Sequence, residues 1–145
     1  MAAPCRNFSQ KSLQEISVFC PDCDVCIRTE PDKKSLCQVK GVVYSAVCVL
    51  CDHEHSQDPN SKHNGRYVGE TARTLSERTS EHSAALRRYV SGSFMFKHWA
   101  LYHSDLLETP KFKFKVVKHH KDPSGRMIHE AVKIHEEASM NSRSE

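Results

Sequence analysis

The spacing of cysteines constrains this chain more than any other feature. Apart from Cys5, the thiols stand as Cys20, Cys23 and Cys26, every third residue, with Cys37 following, and as the Cys-x-x-Cys pair Cys48 and Cys51. The total is odd, seven. The first residues, Met1 to Phe19, carry Lys11, Gln14 and Glu15 where a secretion signal needs an unbroken apolar segment. Reduced thiols in a cytosolic or nuclear compartment are therefore expected, where such spacing means metal more often than disulfide. The first group offers four thiolates in a loop-rich segment able to enclose zinc tetrahedrally. The second group needs two further ligands. His98 and His103 form one available pair, at a spacing seen in zinc sites, and His53 and His55, just after Cys51, form another. His98 and His103 would not share a face of an ideal helix, so that choice requires a helix that tightens or ends between them.

At 145 residues the chain is one domain, or one domain with a small appended module. Hydrophobic residues at 38% and charged residues at 27% are ordinary for a soluble globular protein. The longest apolar run, Gly41 to Leu50, is too short to cross a bilayer, so no membrane partner is expected. A net charge of +3 is mild, and an anionic partner would have to meet a local patch.

Composition divides the chain into a lead-in over 1–19 with no assigned function, a cysteine-rich metal knuckle over 20–37, and a main domain over 38–145. Gly41 to Val47 is short and β-branched and predicts a buried strand. Asp52 to Asn64 has the composition of a solvated insertion, and Arg66 to Val68 that of a returning strand. Thr74 and Glu77 stand at capping-box spacing, predicting a helix to about Tyr89 with Leu75, Thr79, His82, Leu86 and Tyr89 along one side. A short helix from Phe94 to Leu101 follows. Lys111 to Lys118 alternates Lys with Phe and then Val, the pattern of a strand with one basic face. That row of Lys111, Lys113 and Lys115 suits either a solvated edge or a phosphate-contacting ladder. Asp122 and Pro123 open a last helix whose apolar stripe is Met127, Ala131, Ile134 and Ala138.

Tyr44 and Tyr67 thus lie on strands close in sequence, followed by a capped helix bearing Arg78 and His82 one turn apart on one face. Glu130 falls on the apolar stripe of the last helix, where an unpaired carboxylate is expensive to bury and a metal ion would neutralise it. Phosphodiester hydrolysis needs a positioned water, a base, a cation for the charge on phosphorus and help for the leaving oxygen. Tyr, Arg, His and Glu together could supply these.

This order of residues resembles the GIY-YIG nucleases, named for two short strands. The matching stretch is Gly41 to Tyr44, then Tyr67 to Thr71, then Arg73, Leu75, Arg78, Glu81 and His82, with Glu130 and Asn141 later. More narrowly, Cys48 and Cys51 after the first tyrosine strand, the run YVGETARTLSERTSEH and the His98, His103 pair resemble the C-terminal endonuclease domain of Penelope-like retroelements. The likeness covers roughly residues 37 to 141. Two departures are Val-Val-Tyr in place of Ile-Tyr after Gly41 and a longer insertion between the tyrosine strands.

The resemblance implies a small antiparallel sheet flanked by helices, an α/β fold with a cysteine-rich zinc-binding segment at its N-terminus. It implies Tyr44 or Tyr67 near the attacking water, Arg78 on the scissile phosphate, His82 as a proton-handling or orienting group, Glu130 as ligand of catalytic Mg2+ or Mn2+, and Asn141 closing the site. It also implies structural Zn2+ on Cys48, Cys51, His98 and His103, in preference to His53 and His55. A second zinc would use Cys20, Cys23, Cys26 and Cys37. The expected activity is metal-dependent nicking of DNA by a retrotransposon-type endonuclease in the nucleus, with a reverse transcriptase domain as a partner in a parent element. A catalytically inactive zinc-bearing DNA-binding domain is the alternative. A zinc interaction module such as a ubiquitin-ligase domain would leave the tyrosine strands without a role.

Overall fold

The structure is a computed structural model and describes residues 36–57 and 65–136. The lead-in over 1–19, Cys20, Cys23 and Cys26 of the knuckle, Ala138 and Asn141 lie outside the described residues. A 3-10 turn over Leu36–Gln38 leads into β1 (Lys40–Cys48), α1 (Val49–Gln57), β2 (Arg66–Thr74), α2 (Leu75–Arg87), α3 (Phe94–Tyr102), β3 (Phe112–His119) and α4 (Pro123–Glu136). The fold is α/β, a small antiparallel sheet flanked by helices. Its strand order is β2-β1-β3, with β1 in the centre and both pairings antiparallel.

The β-branched run Val42, Val43 and Val47 suits a central strand, and all but one residue between Gly41 and Cys48 are buried. Side chains alternate between the two faces. Val42, Tyr44, Ala46 and Cys48 join Tyr67, Leu75, Leu86, Phe94, Met95, Phe112 and Phe114 in the main core, which α2 and α3 cover. Val43 and Val68, also buried, point to the opposite face, against which α4 packs. In β3, Phe112 and Phe114 are buried while Lys113 and Lys115 face outward, so the period-two pattern reads directly onto the strand. The register with β1 slips between Val43 and Tyr44, leaving Val117 as the extra residue of a bulge.

The capping box forms. Thr74 N donates to Glu77 Oε2 at 2.9 Å and Glu77 N to Thr74 Oγ1 at 3.2 Å. The other end of α2 closes sooner than its sequence suggests. Tyr89 lies past the helix in a left-handed conformation, with its N–H on the Leu86 carbonyl and that of Val90 on the Ala85 carbonyl. This is a Schellman closure without its usual glycine. Tyr89 is consequently exposed rather than on the buried side with Leu75, Thr79, His82 and Leu86.

Within the expected solvated insertion, residues 52–57 continue α1, a polar helix whose Cys51 is fully buried. One expectation needs correction: the Met127 stripe of α4 does not face the core. Met127, Ile128 and Val132 are exposed, and the helix turns Arg126 inward. The reason is electrostatic. Arg126 is buried with its Nε on Glu70 Oε2 at 2.8 Å and Nη1 on the His120 carbonyl at 3.3 Å, and this fixes the rotation of the helix.

Candidate functional site

Two separate clusters of polar side chains lie along β1. The first gathers Cys48, Cys51, His98 and His103, all buried, whose ligand atoms lie within 4.8 Å of one another. Cys51 Sγ is 3.3 Å from His98 Nε2 and 3.2 Å from His103 Nε2, the two Nε2 atoms are 3.2 Å apart, and Cys48 Sγ is 3.5 Å from His103 Nε2. A tetrahedral zinc with Zn–S of about 2.3 Å and Zn–N of about 2.0–2.1 Å has S···N edges of about 3.5 Å and N···N edges of about 3.3 Å. The four residues therefore fit a Cys2His2 zinc site.

Local chemistry explains the placement. Cys48 ends β1 and Cys51 sits in the first turn of α1, so one Cys-x-x-Cys spans the strand–helix junction. His98 lies within α3 and His103 just past its end, at φ −136°, so the helix stops between them and both rings turn to the same point. Gly65, at φ +59°, holds the junction shut. Its carbonyl accepts from Cys48 N at 2.9 Å, and a Cβ there would lie 2.6 Å from that of Cys51. Burial first, then the neighbouring Cys48, pushes the Cys51 thiol up to about 12. Paired thiolates in such a place need a cation beside them. His53, by contrast, is exposed and contacts Gln57. Cys37 is buried in the main core.

The second cluster lies four residues back along β1, about 13 Å at the usual strand rise. Tyr44 is fully buried, and its ring crosses Gly69 of β2 so closely that a Cβ on Gly69 would meet Oη at 2.6 Å. The hydroxyl is thereby carried toward the edge of β2 that no other described strand pairs with. There it lies 2.7 Å from His82 Nε2 and accepts from Arg78 Nε at 3.2 Å. Arg78 Nη1 donates to Glu81 Oε2 at 3.1 Å, and Arg73 also pairs with Glu81.

Tyr67 stacks flat on Phe94, with centroids 3.7 Å apart, and the His82 ring stands edge-on to Phe94 at 4.9 Å. Phe94, whose part in the site was not foreseen, thus fixes two candidate residues at once. Asn141 lies outside the described residues.

These surroundings set the ionisation of each group. Burial, then the nearby Tyr67, drives the Tyr44 phenol well above its ordinary value despite the opposing Arg78. Burial, with Arg78 adding to it, draws His82 down from 6.5 to about 4. Burial works against the Arg78 charge, but Tyr44 and Glu81 outweigh it and hold the guanidinium protonated. Glu130, half-buried on α4, is raised by burial and then by the charge of Glu70, against a backbone hydrogen bond at Glu70 and the pull of Arg78. These mutual influences place Glu130 within electrostatic reach of Tyr44, Arg78 and Glu70. At neutral pH the cluster holds a neutral histidine bonded to a protonated tyrosine and a cationic arginine, with a glutamate whose charged form a cation would stabilise.

The lysine row is elsewhere. β3 forms the opposite edge of the sheet, and Lys113 pairs with Asp52 at 3.5 Å. No helix of the described residues is long and apolar enough to cross a membrane. Compared with protein-family models, curated proteins and solved structures, the chain matches none.

Proposed function

We infer that this protein is a divalent-metal-dependent DNA endonuclease of GIY-YIG type, with zinc as a structural staple. One observation carries the reading: the Tyr44 hydroxyl is held at once by His82 Nε2 and Arg78 Nε, with Glu130 within its electrostatic reach. A packing tyrosine needs one hydrogen-bond partner. Two, one a neutral imidazole able to accept and one cationic, suit a proton-handling hydroxyl beside a phosphate.

With its pKa raised, Tyr44 acts as a relay rather than as a standing phenolate. The attacking water gives its proton to Tyr44 Oη as Tyr44 passes its own to the neutral His82 Nε2. The water oxygen bonds to phosphorus in line with the departing oxygen, which leaves with the electrons of the broken P–O bond and takes a proton from solvent. Arg78, fixed by Glu81, faces the charge that builds on the phosphoryl oxygens. Glu130 would hold magnesium or manganese, and that ion, when bound, supplies further positive charge against the same oxygens. Tyr67, clamped by Phe94, walls the site.

Cys48, Cys51, His98 and His103 would hold zinc with four protein ligands, and the ion would tie β1, α1 and the end of α3 together. The substrate is DNA, and a nick made in a Penelope-like retroelement would supply a primer end in the nucleus.

The test is relaxation of a supercoiled plasmid by zinc-loaded protein. Nicking with magnesium and none without it is the expected result. A folded, zinc-replete protein that binds DNA and leaves it supercoiled would instead be a catalytically inactive zinc-bearing DNA-binding domain.

A further inference from the structure

Arg126 is buried on a helix whose large apolar side chains Met127, Ile128 and Val132 face solvent. Its guanidinium bridges two elements, through Nε to Glu70 Oε2 on β2 at 2.8 Å and through Nη1 to the His120 carbonyl after β3 at 3.3 Å. Glu130 follows Arg126 one turn later on α4, close enough to Glu70 for the Glu70 charge to act on its carboxyl. Arg126 and Glu130 stand four residues apart on α4, so both reach toward the same stretch of β2. A buried ion pair adds little net stability over apolar residues of the same size. What it does fix is orientation, and here it fixes the rotation of the helix that carries the candidate cation ligand.

We propose that Arg126 and Glu70 form a positioning pair that sets where the Glu130 carboxylate stands relative to Tyr44 Oη and Arg78. Arg126 grips the Glu70 side chain and so sets the rotation of α4 against β2, and with it the place of Glu130 one turn further on. The inference rests on the nuclease reading, in which Glu130 receives the divalent ion. Position and charge have different consequences. By charge alone, loss of Arg126 removes a positive group and draws a cation more tightly, whereas loss of the Glu70 charge weakens it. A positioning pair weakens cation binding when either member is lost. The second loss adds little, because either break releases the same tether.

The experiment compares zinc-loaded wild type with Arg126→Met, Arg126→Lys, Glu70→Gln and the Arg126→Met, Glu70→Gln double variant. Mn2+ binding is measured by calorimetric titration, and plasmid nicking at saturating Mg2+. Removing an outer partner of a metal ligand typically costs about 10–100-fold in affinity or activity. Losses in that range are expected in both measurements for each of the two disruptive single variants, with no further loss in the double variant and partial recovery in Arg126→Lys. Arg126→Met with wild-type or tighter Mn2+ binding and unchanged nicking overturns the proposal, as do losses that multiply in the double variant. If circular dichroism shows that Arg126→Met does not fold, Glu70→Gln decides, since its partly exposed site tolerates an amide of equal size. Unchanged Mn2+ affinity and rate in that variant overturn the pair. A wild type that neither binds Mn2+ nor nicks overturns the nuclease reading and this inference with it. A wild type that does both, matched by its variants, overturns the positioning pair alone.

Discussion

Tyr44 Oη and His82 Nε2 stand 2.7 Å apart although 38 residues separate them in sequence. The central strand brings one and the capped helix α2 the other, and Gly69 leaves the space through which the tyrosine ring passes. The contact couples fold to chemistry, because everything that shifts β1 against α2 shifts a proton acceptor against its donor.

Replacing Tyr44 by Phe keeps the ring and removes the hydroxyl. Nicking is expected to fall by about 10²–10⁴-fold, the usual contribution of a proton-handling group. Leaving His82 and Arg78 without that oxygen destabilises the fold by about 1–2 kcal/mol. Plasmid nicking and a thermal melt on the same preparation separate the two effects.

Gly69→Ala places a methyl group where Tyr44 Oη lies at 2.6 Å and Tyr67 Cε1 at 2.9 Å. One of the two rings must move, and a displacement of about 1 Å at a reacting centre can cost about 10²-fold in rate. The variant is expected to keep its zinc, measured by metal analysis, because Cys48 and His103 are far along the sheet from Gly69. Wild-type turnover in this variant contradicts the placement of Tyr44.

His82 predicts a pH dependence of stability. Its pKa falls from 6.5 in the unfolded chain to about 4 in the fold, so the unfolded state binds the proton first as pH drops. Stability is full above 6.5, is lost progressively as pH falls from 6.5 toward about 4, and by linkage the loss is about 3 kcal/mol. Denaturant melts of wild type and His82→Gln across that range measure it, and the slope from this group disappears in the variant. Parallel curves for the two proteins would contradict a buried neutral imidazole.

Removal of zinc by a strong chelator is expected to unfold the α1 and α3 ends, since four buried ligands lose their common partner. Gly65→Ala should act in the same direction without a chelator. It places a Cβ 2.6 Å from Cys51 Cβ at a left-handed backbone position, costing about 1–3 kcal/mol from the backbone alone. Zinc affinity, followed by competition with a chromogenic chelator, should drop.

The parts legible in the sequence were those written within a few residues. Thr74 and Glu77 cap each other across one turn, and the alternation of Phe112, Lys113, Phe114 and Lys115 needs only the pleat of a strand. Cys48 with Cys51 marked a metal site, and the distance between His98 and His103 required the helix end that α3 provides. What failed to read was set at long range. Met127 and Ala131 mark an apolar stripe, yet the rotation of α4 follows Arg126 and its partner Glu70, 56 residues away. A buried arginine looks in sequence like any surface charge. α1 was hidden by its polar composition, because among its described side chains Cys51 alone is buried in the core. Phe94 gave no sign that it would stack on Tyr67, since that contact exists only after α3 folds back over the sheet.

The most direct measurement is nicking of a supercoiled plasmid by zinc-loaded wild type and Glu130→Gln side by side in magnesium, with DNA binding and zinc content measured for both. Relaxation by the wild type, lost in a variant that still binds DNA and zinc, is the predicted result. A Glu130→Gln protein that cuts as fast as wild type would contradict the assigned cation site, and a wild type that binds without cutting would contradict the nuclease itself.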